Sequence, residues 1–110
     1  MANNTYKIIA QSAPAATTDT ALYTVPASTE TIVSTLFVAN RGSTAATFRV
    51  ALRPNGASLA NQHYIAFDVP IAGNDTTTIT CGITMNATDV MTVRASNANM
   101  SFNLSGTELS

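Results

Sequence analysis

Residues 44–54, TAATFRVALRP, decide the fold class of this chain. Every second residue from Ala46 to Leu52 is apolar, and Arg49 and Arg53 have the opposite parity. An extended strand places alternate side chains on opposite faces, whereas a helix would scatter these apolar residues around its axis. The stretch therefore predicts a β-strand with one buried face and one face that carries two arginines.

Seven further segments show the same alternation or a β-branched and aromatic composition. They are residues 6–10, 22–25, 31–39, 65–69, 77–83, 90–95 and 100–105. Turn-forming residues separate them, and Asn40 to Ser43 (NRGS) predicts a tight hairpin whose glycine has a positive φ. We therefore expect an all-β fold, a single sandwich of about eight antiparallel strands, either jelly-roll or immunoglobulin-like, with no helix longer than about two turns.

The same alternation predicts the core. In 31–39 both parities are apolar, which predicts burial on both faces of that strand. In residues 46–53 the apolar parity must face the core, because a shift of one residue in the strand pairing would bury Arg49 and Arg53. The expected core residues are Leu36, Val38, Phe48, Val50, Ile65, Phe67, Ile79, Met91, Val93, Phe102 and Leu104.

Composition excludes several classes of protein. Only 10% of the 110 residues are charged, against about 25% in an ordinary soluble domain. Five cations against six anions cannot form the basic face that a nucleic-acid-binding protein needs. The longest apolar run is too short to span a membrane. Cys81 is the only cysteine, so there is no internal disulfide, and we expect its side chain to be buried.

No catalytic or metal-binding constellation is visible in the sequence. His63 is the only histidine, and Ser58 and Asp68 flank it without a nucleophile elbow or an oxyanion loop. The aspartates are scattered and lie at turns, where they cap backbone N–H groups. We therefore predict no enzymatic activity, no cofactor and no metal site.

Two features suggest an interface, and each has an alternative. Arg49 and Arg53 form either a solvated or intrachain-paired face, or a face that contacts a partner. Residues 1–20 form either the first strand of the sandwich or an attachment arm, with residues 21–110 as the sandwich domain. In the arm alternative, Tyr6, Ile8 and Ile9 anchor it by adding a strand to a partner's sheet.

About residues 20–106 resemble a group of small bacteriophage virion proteins. The residues that carry the resemblance are the LYTVPA opening at 22–27, NRG at 40–42, FRVALRPNGASLANQHYI at 48–65 and PIAGNDT at 70–76. The chain departs from the pattern in its asparagine-rich end, ASNANMSFNLSG, at 95–106.

The resemblance implies a non-enzymatic virion structural protein, and capsid decoration, or cement, is the leading expectation. The alternative is a tail, baseplate or fibre component that contacts other virion proteins or the host surface. The implied partners are the major capsid protein or another virion protein, and further copies of the chain, with a trimer as the expected oligomer. The implied location is the virion, assembled in the host bacterial cytoplasm, without nucleic acid or membrane as partner.

Overall fold

In the computed structural model, which describes residues 4–110 except for the side chain of Cys81, the chain consists of eight strands, connecting turns and two short 3₁₀ helices. The expected burial of Cys81 therefore lies outside the described part. The strands are β1 (Asn4–Ser12), β2 (Thr20–Thr24), β3 (Glu30–Asn40), β4 (Ala46–Arg53), β5 (Tyr64–Ile71), β6 (Asp75–Met85), β7 (Val90–Ala95) and β8 (Met100–Leu109). Two single-turn 3₁₀ helices, Pro54–Gly56 and Asn61–His63, lie between β4 and β5. The predicted all-β fold is confirmed.

The strands form two four-stranded antiparallel sheets. Sheet A has the order β1-β8-β3-β6, and sheet B has the order β2-β7-β4-β5. The pairs are nested along the chain, because β1 pairs with β8, β2 with β7, β3 with β6 and β4 with β5. This nesting is that of an eight-stranded jelly roll and differs from the seven-stranded immunoglobulin order. The structure thus selects the first of the two predicted architectures.

The core lies between the two sheets. Phe48 of sheet B and Phe102 of sheet A meet edge to face, with ring centroids 6.3 Å apart, and both side chains are buried. Ile79 is half-buried against this core. The predicted core residues that the structure buries are Leu36, Val38, Phe48, Val50, Met91, Val93, Phe102 and Leu104.

The core prediction is wrong for Ile65 and Phe67. Their side chains are 45% and 54% exposed, because β5 carries extra residues at two places in its pairing with β4. Each bulge inserts an unpaired residue and changes which parity faces the core. Val69 and Ile71 pack inward from this strand instead.

The expected burial of both faces of β3 is also wrong. Val33 is buried, but Ile32 and Phe37 are 43% and 42% exposed. The register of β3 shifts between Val33 and Thr35 in both of its pairings. The bulge brings Val33 onto the same buried side as Leu36, so one face of β3 packs on the core and the other faces outward.

The NRGS turn is not a hairpin. It connects β3 in sheet A to β4 in sheet B, and positive φ among the glycines occurs at Gly56 and Gly82 rather than at Gly42. A Cβ on Gly42 would lie 2.8 Å from Asn99 Nδ2. The glycine is therefore explained by a close approach to the loop before β8.

A polar network ties β1 to both sheets. Lys7 Nζ lies 2.6 Å from Glu108 Oε1, Tyr23 donates its hydroxyl hydrogen to Glu108 Oε2, and the Tyr23 hydroxyl is 2.8 Å from Thr31 Oγ1. Burial, followed by the hydrogen bond to Glu108, raises the pKa of Tyr23 to about 12. The hydrogen bonds from Lys7 and then from Tyr23 hold the pKa of Glu108 below its ordinary value of 4.5.

Replacing Glu108 by glutamine is expected to reduce the free energy of unfolding at neutral pH by about 1 kcal/mol, since Lys7 is partly solvent-exposed. The lowered pKa means that the ionised carboxylate stabilises the fold above pH 4.5 and that this contribution is lost as the pH falls through the lowered pKa. The difference between wild type and E108Q should therefore shrink in acid, as measured by urea unfolding across pH. Glu30→Gln, at an exposed carboxylate, is the control, and a difference that does not depend on pH would contradict the assignment.

Candidate interaction surfaces

The outer face of sheet A carries no charged side chain across four consecutive rows of paired residues. We call it the uncharged face. The pairings place on it Tyr6, Ile8 and Gln11 of β1, Ile32, Thr35, Phe37 and Ala39 of β3, Thr76, Thr78, Thr80 and Thr84 of β6, and Ser101, Asn103, Ser105 and Thr107 of β8. Glu30 lies in the row beyond Tyr6, where it pairs with Leu109.

Four large apolar side chains project from the uncharged face. Tyr6 is 79% exposed and Ile8 64%, and Ile32 and Phe37 are each more than two-fifths exposed. Threonine, serine and asparagine fill the spaces between them. Protein interfaces are depleted in charged residues at their centres and enriched in large side chains such as tyrosine and phenylalanine. The uncharged face shares these two features with an interface: it has no charge, and it exposes four large apolar side chains.

Sheet B has the opposite character on its outer face. Arg49 forms a forked pair with Asp68, with Nε 2.7 Å from Oδ1 and Nη2 3.3 Å from Oδ2. Its guanidinium also lies 4.0 Å from the centre of the Phe67 ring, and Arg94 lies 3.6 Å from Asp19. The hydrogen bond between Arg49 and Asp68 raises the pKa of the arginine and lowers that of the aspartate. Arg49 and Arg94 of this face are thus paired with carboxylates of the same chain.

The two predicted interface arginines differ in the contacts that they make. Arg49 is held by Asp68 and Phe67 on the outer face of sheet B. Arg53, at the end of β4, makes only long hydrogen bonds, from Nη1 to Thr92 Oγ1 at 3.4 Å and from Nη2 to the Gly56 carbonyl at 3.5 Å. Arg49 therefore has an intrachain ion-pair partner, and Arg53 has no carboxylate partner among residues 4–110.

The three predicted anchor residues of the N-terminal segment do not share one surface. Asn4–Ser12 pair with β8 as the edge strand of sheet A, with a register shift between Ile8 and Ala10. Tyr6 and Ile8 face outward, whereas Ile9 is half-buried against the core. Only the first two therefore lie on the uncharged face.

Sequence reasoning misses the remaining members of that face. Alternation assigns Ile32 and Phe37 to burial, and it gives the threonines of β6 no role beyond that of ordinary polar positions. A signal is nevertheless present, because Thr76, Thr78 and Thr80 alternate with Thr77 and Ile79 without any charge. An ordinary soluble domain has about 25% charged residues, and outward strand positions are where polar residues lie, so the absence of charge from the outward positions of β6 and β8 is informative.

Of the three residues considered for catalysis, His63 and Asp68 have structural partners. His63 Nδ1 accepts a hydrogen bond from the Ala60 N–H at 3.1 Å, and Asp68 is paired with Arg49. Within the described part of the chain, histidine, cysteine, aspartate and glutamate residues form no group of three or more that could hold a metal ion. No helix among these residues is long and apolar enough to cross a membrane.

Comparison with known proteins gives no family assignment. No protein-family model matches the chain, and no curated protein matches it.

Proposed function

We propose that this protein is a non-enzymatic structural component of a bacteriophage virion, and that it decorates and stabilises the head as a cement protein. The sequence resemblance to small virion proteins supports this proposal. The jelly-roll architecture is also one that viral capsid domains use. The observation that carries the proposal is the uncharged face of sheet A.

The uncharged face is large enough to be the centre of an interface. With strands about 4.8 Å apart and a rise of about 3.3 Å per residue, its four strands cover about 500 Å². A standard protein interface buries about 800 Å² on each partner. The face and a surrounding rim would therefore supply one side of such an interface.

The chemistry of this face favours a protein surface that is itself uncharged. Burying threonine, isoleucine and phenylalanine removes apolar area from water without separating ions from their hydration. The proposed partner is the major capsid protein or another virion protein, with further copies of this chain alongside. Since no ion pair is needed, attachment should depend little on salt concentration.

Particle binding tests the proposal with a pair of matched variants. Ile32→Lys places a charge on the uncharged face, and Ile65→Lys places one at a side chain of nearly equal exposure on β5, 43% against 45%. We expect I32K to weaken binding to purified virus particles depleted of the protein by at least tenfold, because a lysine would have to be desolvated without a partner. I65K should bind like wild type.

Two results would contradict this proposal. One is equal binding by I32K and wild type, with the fold of each verified by thermal unfolding. The other is the absence of wild-type binding to any part of the particle. Copy number in purified particles separates the two virion locations, because hundreds of copies indicate the shell and a few dozen or fewer indicate a tail, baseplate or fibre.

A further inference from the structure

A cleft of about 440 Å³ lies at the end of the sandwich where β4 and β6 finish. Arg53, Gln62, His63 and Asp89 contribute its polar lining, and Leu52 and Met85 contribute apolar walls. A volume of this size accommodates a small molecule or the end of a peptide. The cleft shares Thr84 with the margin of the uncharged face, but its charged and imidazole side chains give it a different chemistry.

The guanidinium of Arg53 is incompletely bonded. Its Nε is the one buried side-chain nitrogen or oxygen among the described residues that has no hydrogen-bond partner. Its two terminal nitrogens make only the long bonds to Thr92 and Gly56, at 3.4 and 3.5 Å. Arg49, four residues earlier on the same strand, has a forked carboxylate partner. Arg53 forms no salt bridge among residues 4–110, and its terminal nitrogens therefore retain hydrogen-bonding capacity that an anionic partner would use.

The other polar groups of the cleft are the donors His63 and Gln62 and one carboxylate, Asp89, whose two oxygens are each occupied by a backbone N–H. The Ala60 N–H donates to Nδ1 of His63, so the neutral imidazole carries its proton on Nε2 and can donate there. Asp89 accepts one backbone N–H on each oxygen, from Asn55 and Asn86, both at 2.8 Å. Its carboxylate therefore fixes two turns, and it forms no ion pair with Arg53.

We propose that this cleft binds a carboxylate that carries a short aliphatic group. The carboxylate pairs with the terminal nitrogens of Arg53, since Nε is closed to solvent, and it accepts a further hydrogen bond from His63 or Gln62. The aliphatic group packs against Leu52 and Met85. Such a ligand is either a free carboxylic acid or the C-terminal residue of a polypeptide, and both present the same chemistry.

Titration of the full chain followed by NMR tests this proposal without any variant. The probes are 3-methylbutanoate and its amide, and acetyl-glycyl-leucine with a free or an amidated C-terminus. We expect each acid to shift the Arg53 Nε–H signal, the Ala60 amide and the Met85 methyl group, and each amide to bind at least tenfold more weakly. Binding of either acid supports the proposal, and binding of the free acid alone or of the peptide acid alone identifies the source of the carboxylate.

A pair of arginine variants provides the second measurement. Arg53→Met should weaken binding of the acid probe by at least tenfold, whereas Arg49→Met, on the same strand, should leave it unchanged. The proposal is overturned if acid and amide bind alike, if neither acid binds at millimolar concentration, or if R53M retains wild-type affinity. Because no virus particle enters the experiment, its result is independent of attachment through sheet A.

Discussion

Deletion of residues 1–12 is expected to unfold the whole domain. The deletion removes β1, whose eight residue pairs with β8 complete one side of sheet A, and it removes Ile9 and Ala10 from the margin of the core. Ladder hydrogen bonds contribute about 0.5–1.5 kcal/mol each, so their sum is comparable to the roughly 5–15 kcal/mol that stabilises a whole domain. Circular dichroism and thermal unfolding of the truncated chain would measure the effect.

The double variant Tyr6→Ser, Ile8→Thr is the matched control, because it keeps the backbone of β1 and changes only outward side chains. It should unfold close to the wild-type temperature. If the truncated chain instead unfolds cooperatively near that temperature, residues 1–12 contribute little to the domain, and the N-terminal segment is an attachment arm rather than an integral strand.

The second large effect is expected at Gly106, where a methyl group has no space. A Cβ at this position would lie 2.2 Å from the Ile32 carbonyl oxygen and 3.1 Å from Val33 Cα. Both atoms belong to the backbone of the neighbouring strand β3, so no side-chain rotation relieves the clash. We expect Gly106→Ala to lower the free energy of unfolding by about 3 kcal/mol, at the upper end of the usual cost of overpacking.

Gly82→Ala separates this steric effect from the general cost of replacing a glycine. Gly82 has a φ of 55°, and a Cβ at this position would meet no neighbouring atom within 4 Å. Its substitution therefore costs only the left-handed strain, about 1–2 kcal/mol. Chemical denaturation of both variants would compare them. A loss at Gly106 no larger than that at Gly82 would show that β3 and β8 can separate to admit the methyl group.

The sequence was sufficient to predict the fold where a strand is regular. In β4 and β8 the alternation that places Phe48 and Phe102 inside holds along the strand, and both residues are buried. In β5 the prediction failed at Ile65 and Phe67, because a bulge exchanges the two faces without leaving a mark in the hydrophobic pattern. Alternation divides the residues of a strand between two faces, but it does not show at which residue a bulge exchanges those faces.

The interaction surfaces were harder to predict because they depend on pairing across the chain. The partner of Arg49 is Asp68, on the neighbouring strand, and the cleft brings Arg53 close to His63 and Asp89 from three separate segments. In neither arrangement do the residues lie at a characteristic spacing in the sequence that would have indicated their contact. By contrast, the absence of charge from the outward positions of β6 and β8 could be seen in the sequence, and only the sheet order was needed to join them into one face.

The nested pairing of the strands has a consequence for how the chain folds. β1 is synthesised first, yet its neighbour in the sheet is β8, and Asn4 lies opposite Leu109. Sheet A therefore remains open until β8 leaves the ribosome, and among residues 4–110 β4 and β5 are the only strands consecutive in the chain that pair with each other. Contacts between residues so distant in sequence close slowly, because a long loop must be ordered before the pairing stabilises it. During that interval the strands of sheet A have backbone groups bonded only to water and few charges to keep nascent chains apart, so we expect folding to compete with association between chains on neighbouring ribosomes.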